Sequence, residues 1–254
     1  MKRKCNFIDR TGEHHLNNEG YWMTIIEYVS NRECTIQFDE GCTIYKLQYN
    51  SIIKGNVKNP YHPSVFGIGY LGEGRHLSKK DKKIAKSYNT WSSMLERGYD
   101  TSFNKKNPSY VNCLVNEEWH NFQNFGDWFE QNWKPYMDRS WELDKDILIK
   151  NNKIYSPETC CFVPKEINNL FIKNNVRRGE CPIGVHRVNN VYIVTCKTNA
   201  PSSYGGTYST PEDAFQAYKI IKEIYIKETA DKWRGQITEP CYEAMYNYKV
   251  EITD

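Results

Sequence analysis

The sequence predicts an α+β protein of three modules. These are a small β-barrel or meander over residues 1–72, an α+β segment over 73–175, and a three-stranded antiparallel sheet packed on one helix over 176–254. Three observations predict it. Runs of β-branched and aromatic residues broken by turn residues fill the first seventy positions. An aromatic stripe at helical spacing occupies the middle, and three short strand-like runs precede one long amphipathic stretch near the end. The 254 residues suit one large domain or two to three small ones, since a typical domain takes roughly 100–150 residues. Charged residues make up 26%, yet 19 Tyr, 10 Phe and 7 Trp are present, and disordered chains lack such rings. No apolar run approaches the ~20 residues of a membrane helix, and no apolar core follows Met1-Lys2-Arg3-Lys4. Neither a membrane span nor a secretory signal is expected, which places the chain in a cytoplasm.

In the first module, Tyr21–Val29, Glu33–Asp39 and Thr43–Ile53 read as strands divided by Ser30-Asn31-Arg32 and Asp39-Glu40-Gly41. Cys34, Ile36 and Phe38 share one face of the second, and Thr35, Gln37 and Asp39 the other. So short a meander must curl or dock to bury its apolar face, and a small barrel of the Src-homology-three kind is expected. Gly67-Ile68-Gly69-Tyr70-Leu71-Gly72 spells the dinucleotide fingerprint, but no strand–helix unit frames it, so these are read as turn glycines.

From Arg75 to Lys106 the chain is basic. Arg75, Lys79, Lys80, Lys82, Lys83, Lys86, Arg97, Lys105 and Lys106 face only Asp81, Glu96 and Asp100, so this stretch exceeds the whole chain's net charge of +3. A charge run is usually a solvated loop, but this concentration also suits contact with a phosphate backbone, with Lys79, Lys80, Lys82 and Lys83 at its centre. Ser87 is placed to cap a helix that turns Tyr88, Trp91, Met94 and Leu95 inward and stops at Gly98. A second helix is expected from near Asn116, with Trp119, Phe122, Phe125 and Phe129 as its core stripe and His120 on its polar face.

The nine cysteines contain no C-x-x-C pair, so structural zinc is not expected, and the thiols are read as reduced and mostly buried. In the last module, Ile183–Val188 and Val191–Thr198 read as strands joined by a tight Asn189-Asn190 turn, and Asn199–Ser203 turns into Tyr204–Ser209. Thr210-Pro211-Glu212-Asp213 then spells a helix start, with Thr210 as N-cap and Pro211 at the first position. Ala214, Ala217, Tyr218, Ile221 and Tyr225 recur on one face. Thr238–Lys249 reads as a final helix.

Three middle blocks carry a resemblance. Tyr88–Tyr99, Cys113–Trp133 and Leu143–Asn169, above all Tyr155-Ser156-Pro157-Glu158-Thr159-Cys160, resemble HNH-family endonuclease proteins common in bacteriophages. The resemblance implies a β-hairpin and helix holding one divalent cation, with a histidine as general base. At the positions that match, the base histidine is Lys145 and the middle asparagine is Thr159, while Asn168 or Asn169 stands on the metal side. Asp144 and Asp146 could supply carboxylates. A lysine of ordinary pKa is protonated at neutral pH and cannot take a proton from water. The block therefore reads as an HNH-like ββα scaffold kept for docking or structure.

The last module resembles the APETALA-two/ethylene-response-factor DNA-binding domain and its phage relatives, through Gly184-Val185, Gly206, Tyr208 and Thr210–Tyr218. In that family the sheet lies in the major groove and the helix backs it. The resemblance puts Arg187, Tyr192, Thr195 and Lys197 on the sheet, with Arg177 and Arg178 just before it. The plant members carry more Arg and Trp on these strands.

Together these readings lead to a double-stranded-DNA-binding protein of a phage or mobile element, working in a bacterial cytoplasm. No cofactor is expected. One rival is an active HNH-type homing endonuclease, which would need Mg²⁺ or another divalent cation. A second is a factor that binds a host protein through the first module.

Overall fold

The computed structural model describes residues 8–138, 140–172, 181–198 and 203–252. Arg177, Arg178 and residues 199–202 of the expected second turn lie outside them. The architecture is mixed α+β with several small sheets. Two compact units make up the chain: residues up to Val111 with Glu117–Asp127, and Asn112–Asn116 with Trp128 onward.

In the first unit, β1 (His14–Leu16), β2 (Trp22–Ser30), β3 (Glu33–Phe38) and β4 (Thr43–Leu47) pair antiparallel in chain order. The meander is as expected, with β1 added, but the expected barrel is absent: the sheet stays open with β1 and β4 at its edges. The run Thr43–Ile53 does not remain extended. Lys46 takes φ 56° and Tyr49–Ile53 coil into α1, so β4 ends too early to return to β1. The core is closed by Ile52 of α1 and by Val57, packed with Met23, Ile25, Cys34, Ile36, Phe38 and Cys42. The alternation in β3 holds except at Thr35, which is buried and donates its hydroxyl to Glu27 Oε2 at 3.0 Å.

The lysine run folds as a hairpin of β5 (Lys79–Lys80) and β6 (Lys83–Ile84), followed by α2 (Lys86–Tyr99) and α3 (Thr101–Lys106). Trp91, Met94 and Leu95 are buried on α2 as expected. Its N-cap is Ala85 rather than Ser87, and the helix runs through Gly98. Asp100 ends it by turning extended, and its carboxylate accepts the N–H groups of Ser102 (2.7 Å) and Phe103 (2.9 Å), capping α3. The second expected helix is split into a 3-10 turn over Glu117–His120 and α4 (Phe122–Asn132). Trp119, Phe122 and Phe125 are fully buried, and the Trp91 indole donates to Trp119 O at 2.7 Å. His120 is half-buried, its Nε2 3.2 Å from Tyr99 Oη. Gly69 lies so close that a Cβ there would sit 2.3 Å from Leu95 Cδ1, so this glycine of the fingerprint serves packing.

In the second unit, β7 (Leu114–Val115), β8 (Trp141–Asp144), β9 (Ile154–Tyr155) and β10 (Cys161–Pro164) form two small ladders. β8 pairs antiparallel with β10, Asp144 opposite Cys161, and β7 runs parallel to β9. α5 (Lys165–Asn168) follows at once. Phe162 packs among Trp128, Phe129 and Trp133. β11 (Val185–Val188), β12 (Val191–Thr195) and β13 (Tyr204–Tyr208) make the expected three-stranded antiparallel sheet, with Asn189 at φ 53° in its first turn. It packs on α6 (Pro211–Trp233), whose N-cap Thr210 accepts Asp213 N–H at 3.2 Å. Gly184 takes φ 71° where a Cβ would meet the Tyr218 ring at 2.1 Å, so a side chain there would break the join of sheet to helix. Of the stripe expected on α6, Ala214, Tyr218 and Tyr225 are buried while Ala217 and Ile221 are half-buried, because Phe215 and Ile226 add a second inward row. α7 (Glu239–Tyr246) buries Cys241 and Met245. Among the described residues no helix is long and apolar enough to cross a membrane. The eight described cysteines are free thiols, and all but Cys181 are buried.

Candidate nucleic-acid interface

The β5–β6 hairpin begins with its turn. Asp81 and Lys82 take φ 50° and 62°, and two successive positive φ values are what a two-residue type I′ connection needs. Lys80 then faces Lys83 and Lys79 faces Ile84, so four lysines crowd a loop of five residues. All four are exposed, and among the described residues none has a carboxylate within ion-pair distance. Leu77 and Ile84 flank them at 66% and 60% exposure. Other cations of the basic stretch have local partners. Arg75 pairs with Asp127 at 2.9 Å, and the Arg97 guanidinium lies 5.5 Å from the centre of the Tyr110 ring. Lys105 and Lys106 sit in the last turn of α3, where they complement its dipole.

On the three-stranded sheet, side-chain alternation sorts the candidates onto two faces. Val185 and Val194 are opposite one another and buried, on the α6 side. Arg187 and Tyr192, two residues from each, share that side; Arg187 is exposed, its Nε donating to Asn189 O at 3.2 Å. The open side carries His186, Val188, Val191, Ile193, Thr195, Tyr204 and Thr207, and Lys197 follows beyond buried Cys196. Thr195 Oγ1 is 2.9 Å from His186 Nε2. Thr195 is thus on the open face, apart from Arg187 and Tyr192, and Lys197 is exposed two residues past the end of β12.

The HNH-like positions lie on and after the β8–β10 ladder. Asp144 Oδ1 accepts the N–H groups of Asp146 and Ile147, each at 2.8 Å, and starts the long connection to β9. Burial and the neighbouring Asp146 carboxylate push its carboxyl up to about 6. The Lys145 side chain is buried, with Nζ 2.9 Å from Asp146 Oδ2 and 5.7 Å from the centre of the Tyr155 ring. Burial alone would lower its pKa, but attraction and hydrogen bonding to Asp146 outweigh that and raise it. Lys145 is therefore held as a cation and has no proton vacancy. Thr159 Oγ1 donates to Ile154 O at 2.7 Å and accepts Ser156 N–H at 3.1 Å, so it braces the connection where an asparagine was expected to do so. Asn168 donates its amide to the Glu142 carboxylate.

Two residues in this region were not singled out in the sequence. Asn152 Nδ2 donates to Lys145 O at 2.7 Å and Ile154 O at 2.6 Å, spanning the connection, and Glu142 engages Asn168. The pair Asn151-Asn152 before a strand was a turn signal that could have found the first. Glu142 had none, since its role depends on a helix 26 residues away. Thiols ring this loop. Burial pushes Cys160 up to about 12, and a hydrogen bond with Cys241 together with burial raises Cys161 well above its ordinary value. They are packing groups, poor in thiolate at neutral pH.

Comparison of the chain with protein-family models, with curated proteins and with solved structures finds no match.

Proposed function

We propose that the protein binds double-stranded DNA, with the β5–β6 hairpin as its main grip on the phosphate backbone. The observation that carries this reading is a two-residue turn presenting Lys79, Lys80, Lys82 and Lys83 to solvent, with no carboxylate within ion-pair distance of them among the described residues. Clustered like charges repel in a free protein, and a polyanion relieves that repulsion while releasing its counterions. The sheet β11–β13 adds Thr195 on its open face, with exposed Lys197 just past β12, and a ribbon of this width suits a major groove. Arg187 sits on the other side and is read as a phosphate contact from the rim. Arg177 and Arg178 precede the sheet in sequence and lie outside the described residues.

The β8–β10 ladder followed by the short α5, with β9 between the two strands in the chain, supports an HNH-like reading, and in this reading the scaffold does not cut. Lys145 is committed to Asp146, Thr159 to backbone groups and Asn168 to Glu142, so none of these three stands ready as a neutral base for water. Wild type is expected to leave supercoiled plasmid intact with Mg²⁺ or Mn²⁺. Nicking that requires metal and disappears on changing Asp144 would replace this reading with the endonuclease one.

The direct test is fluorescence anisotropy with duplex DNA over a salt series. Replacing the four hairpin lysines by Gln should weaken binding to all sequences on the order of 10²-fold and flatten the log–log salt slope by about 0.9 per lost contact. An unchanged slope would remove the hairpin from the interface.

A further inference from the structure

The outer face of the first sheet differs in character from the hairpin of the same unit. Its inner face is spent on the core of Met23, Ile25, Ile36 and Phe38. At its outer end Trp22 is 48% exposed although it begins the longest strand of the sheet. The His14 imidazole lies against the indole, ring centres 4.7 Å apart and tilted by 39°. His14 Nε2 is 3.4 Å from Asp39 Oδ1, and Asp39 N–H donates to Trp22 O at 3.1 Å. Leu16, the register partner of Trp22, is also exposed, and Glu40 projects from the adjoining turn. An indole, an aliphatic side chain and two solvent-facing carboxylates thus share one end of a sheet.

The charge at this end of the sheet is of the wrong sign for DNA. Asp39 and Glu40 are adjacent and exposed, and the turn Asp39-Glu40-Gly41 carries no Lys or Arg. Glu13 is already paired with Arg10 at 2.9 Å, whereas among the described residues the Asp39 carboxylate meets only the His14 ring, and Glu40 next to it in sequence is exposed. A π face next to a carboxylate is complementary to a guanidinium, which stacks on the ring and forks to the oxygens. We infer that the Trp22–His14–Asp39 end of the first sheet is a docking surface for an arginine-bearing segment of a partner protein. The guanidinium lies on Trp22 and pairs with Asp39, with an aliphatic neighbour against Leu16. This surface is independent of the DNA reading and leaves the hairpin free.

The test uses the full chain labelled with 5-fluorotryptophan, the Trp22 resonance being assigned by Trp22→Phe among the seven tryptophans. The probes are a short synthetic peptide rich in arginine and leucine, the same peptide with citrulline in place of arginine, and duplex DNA. The arginine peptide should move the Trp22 resonance saturably while citrulline leaves it in place. Asp39→Asn should weaken the titration roughly threefold or more. DNA anisotropy of the Trp22→Phe variant should equal wild type, which keeps this inference and the DNA reading separately testable. A Trp22 resonance that stays still, or that moves equally with citrulline, would overturn the inference. Movement on adding DNA would reassign the face to nucleic acid, and movement on concentrating the protein alone would reassign it to a second copy.

Discussion

The β5–β6 hairpin and the connection after β8 both centre on lysine next to aspartate, and they come to opposite ends. In Lys79-Lys80-Asp81-Lys82-Lys83 a two-residue turn throws the side chains outward, and solvent screens each charge. In Asp144-Lys145-Asp146 the register of β8 with β10 places Asp144 opposite Cys161 and sends Lys145 inward, where its charge survives only through Asp146. Both stretches set lysine beside aspartate, four Lys to one Asp in the first and one Lys to two Asp in the second. Backbone geometry decides which lysine is available to a ligand and which is spent on the fold.

That contrast is sharpest in stability. The Asp144 carboxyl titrates near 6 in the folded chain against an ordinary value near 3.8, so folding takes up a proton between those values. Its raised pKa favours the folded state below about pH 4, and that contribution is lost as pH rises through 6. Asp144→Asn keeps the oxygen that accepts two N–H groups and removes the buried charge. It should stabilise the protein at pH 7 by on the order of 2–3 kcal/mol and flatten urea stability between pH 4 and 6. A midpoint that falls at pH 7 would show that Asp144 works as a charge.

Next comes Lys145→Ala, which strips Asp146 of its partner and the Tyr155 ring of its covering stem. Because Asp146 is partly exposed and can rehydrate, the expected loss is about 1–3 kcal/mol, below the usual cost of breaking a fully buried pair. The four-lysine hairpin variant, by contrast, should unfold at the wild-type denaturant midpoint, since its side chains touch little that is buried. A large shift there would erase the distinction between the two regions.

Smaller effects refine it. Thr210→Ala should cost about 1 kcal/mol through the lost cap of α6. Replacing Asp81-Lys82 with Asn-Gly should stiffen the hairpin by a few tenths of a kcal/mol, since Asn and Gly reach positive φ with less strain. The DNA salt slope should then drop by only about 0.9, for one lysine.

How much of this was legible depended on whether the signal was local. The start of α6 was written in four adjacent residues, Thr210 to Asp213, and the alternation of β3 in six. The three strands of the C-terminal sheet carried their own turn signal in Asn189-Asn190. The hairpin was hidden because lysines mask a turn in which the backbone, not the residue type, supplies positive φ. β1 was hidden because three residues cannot display a period. The barrel was expected because Thr43–Ile53 has strand composition throughout, and only docking of Ile52 onto the sheet makes its second half helical. At the HNH-like positions the identities were readable and their partners were not. Thr159 bonds Ile154 and Ser156 within its own loop, whereas Asn168 bonds Glu142 from another element.

The shortness of β5 and β6 has a kinetic consequence. Two residues per strand give a ladder with almost nothing to hold it shut, so the hairpin should open locally far more often than the units beside it. Four lysines at such a site invite trypsin, and the first nick in the described chain should fall between Lys79 and Lys83. Bound duplex would cover that bond, so the rate of this single cut, followed on a gel with and without DNA, reports occupancy of the hairpin directly.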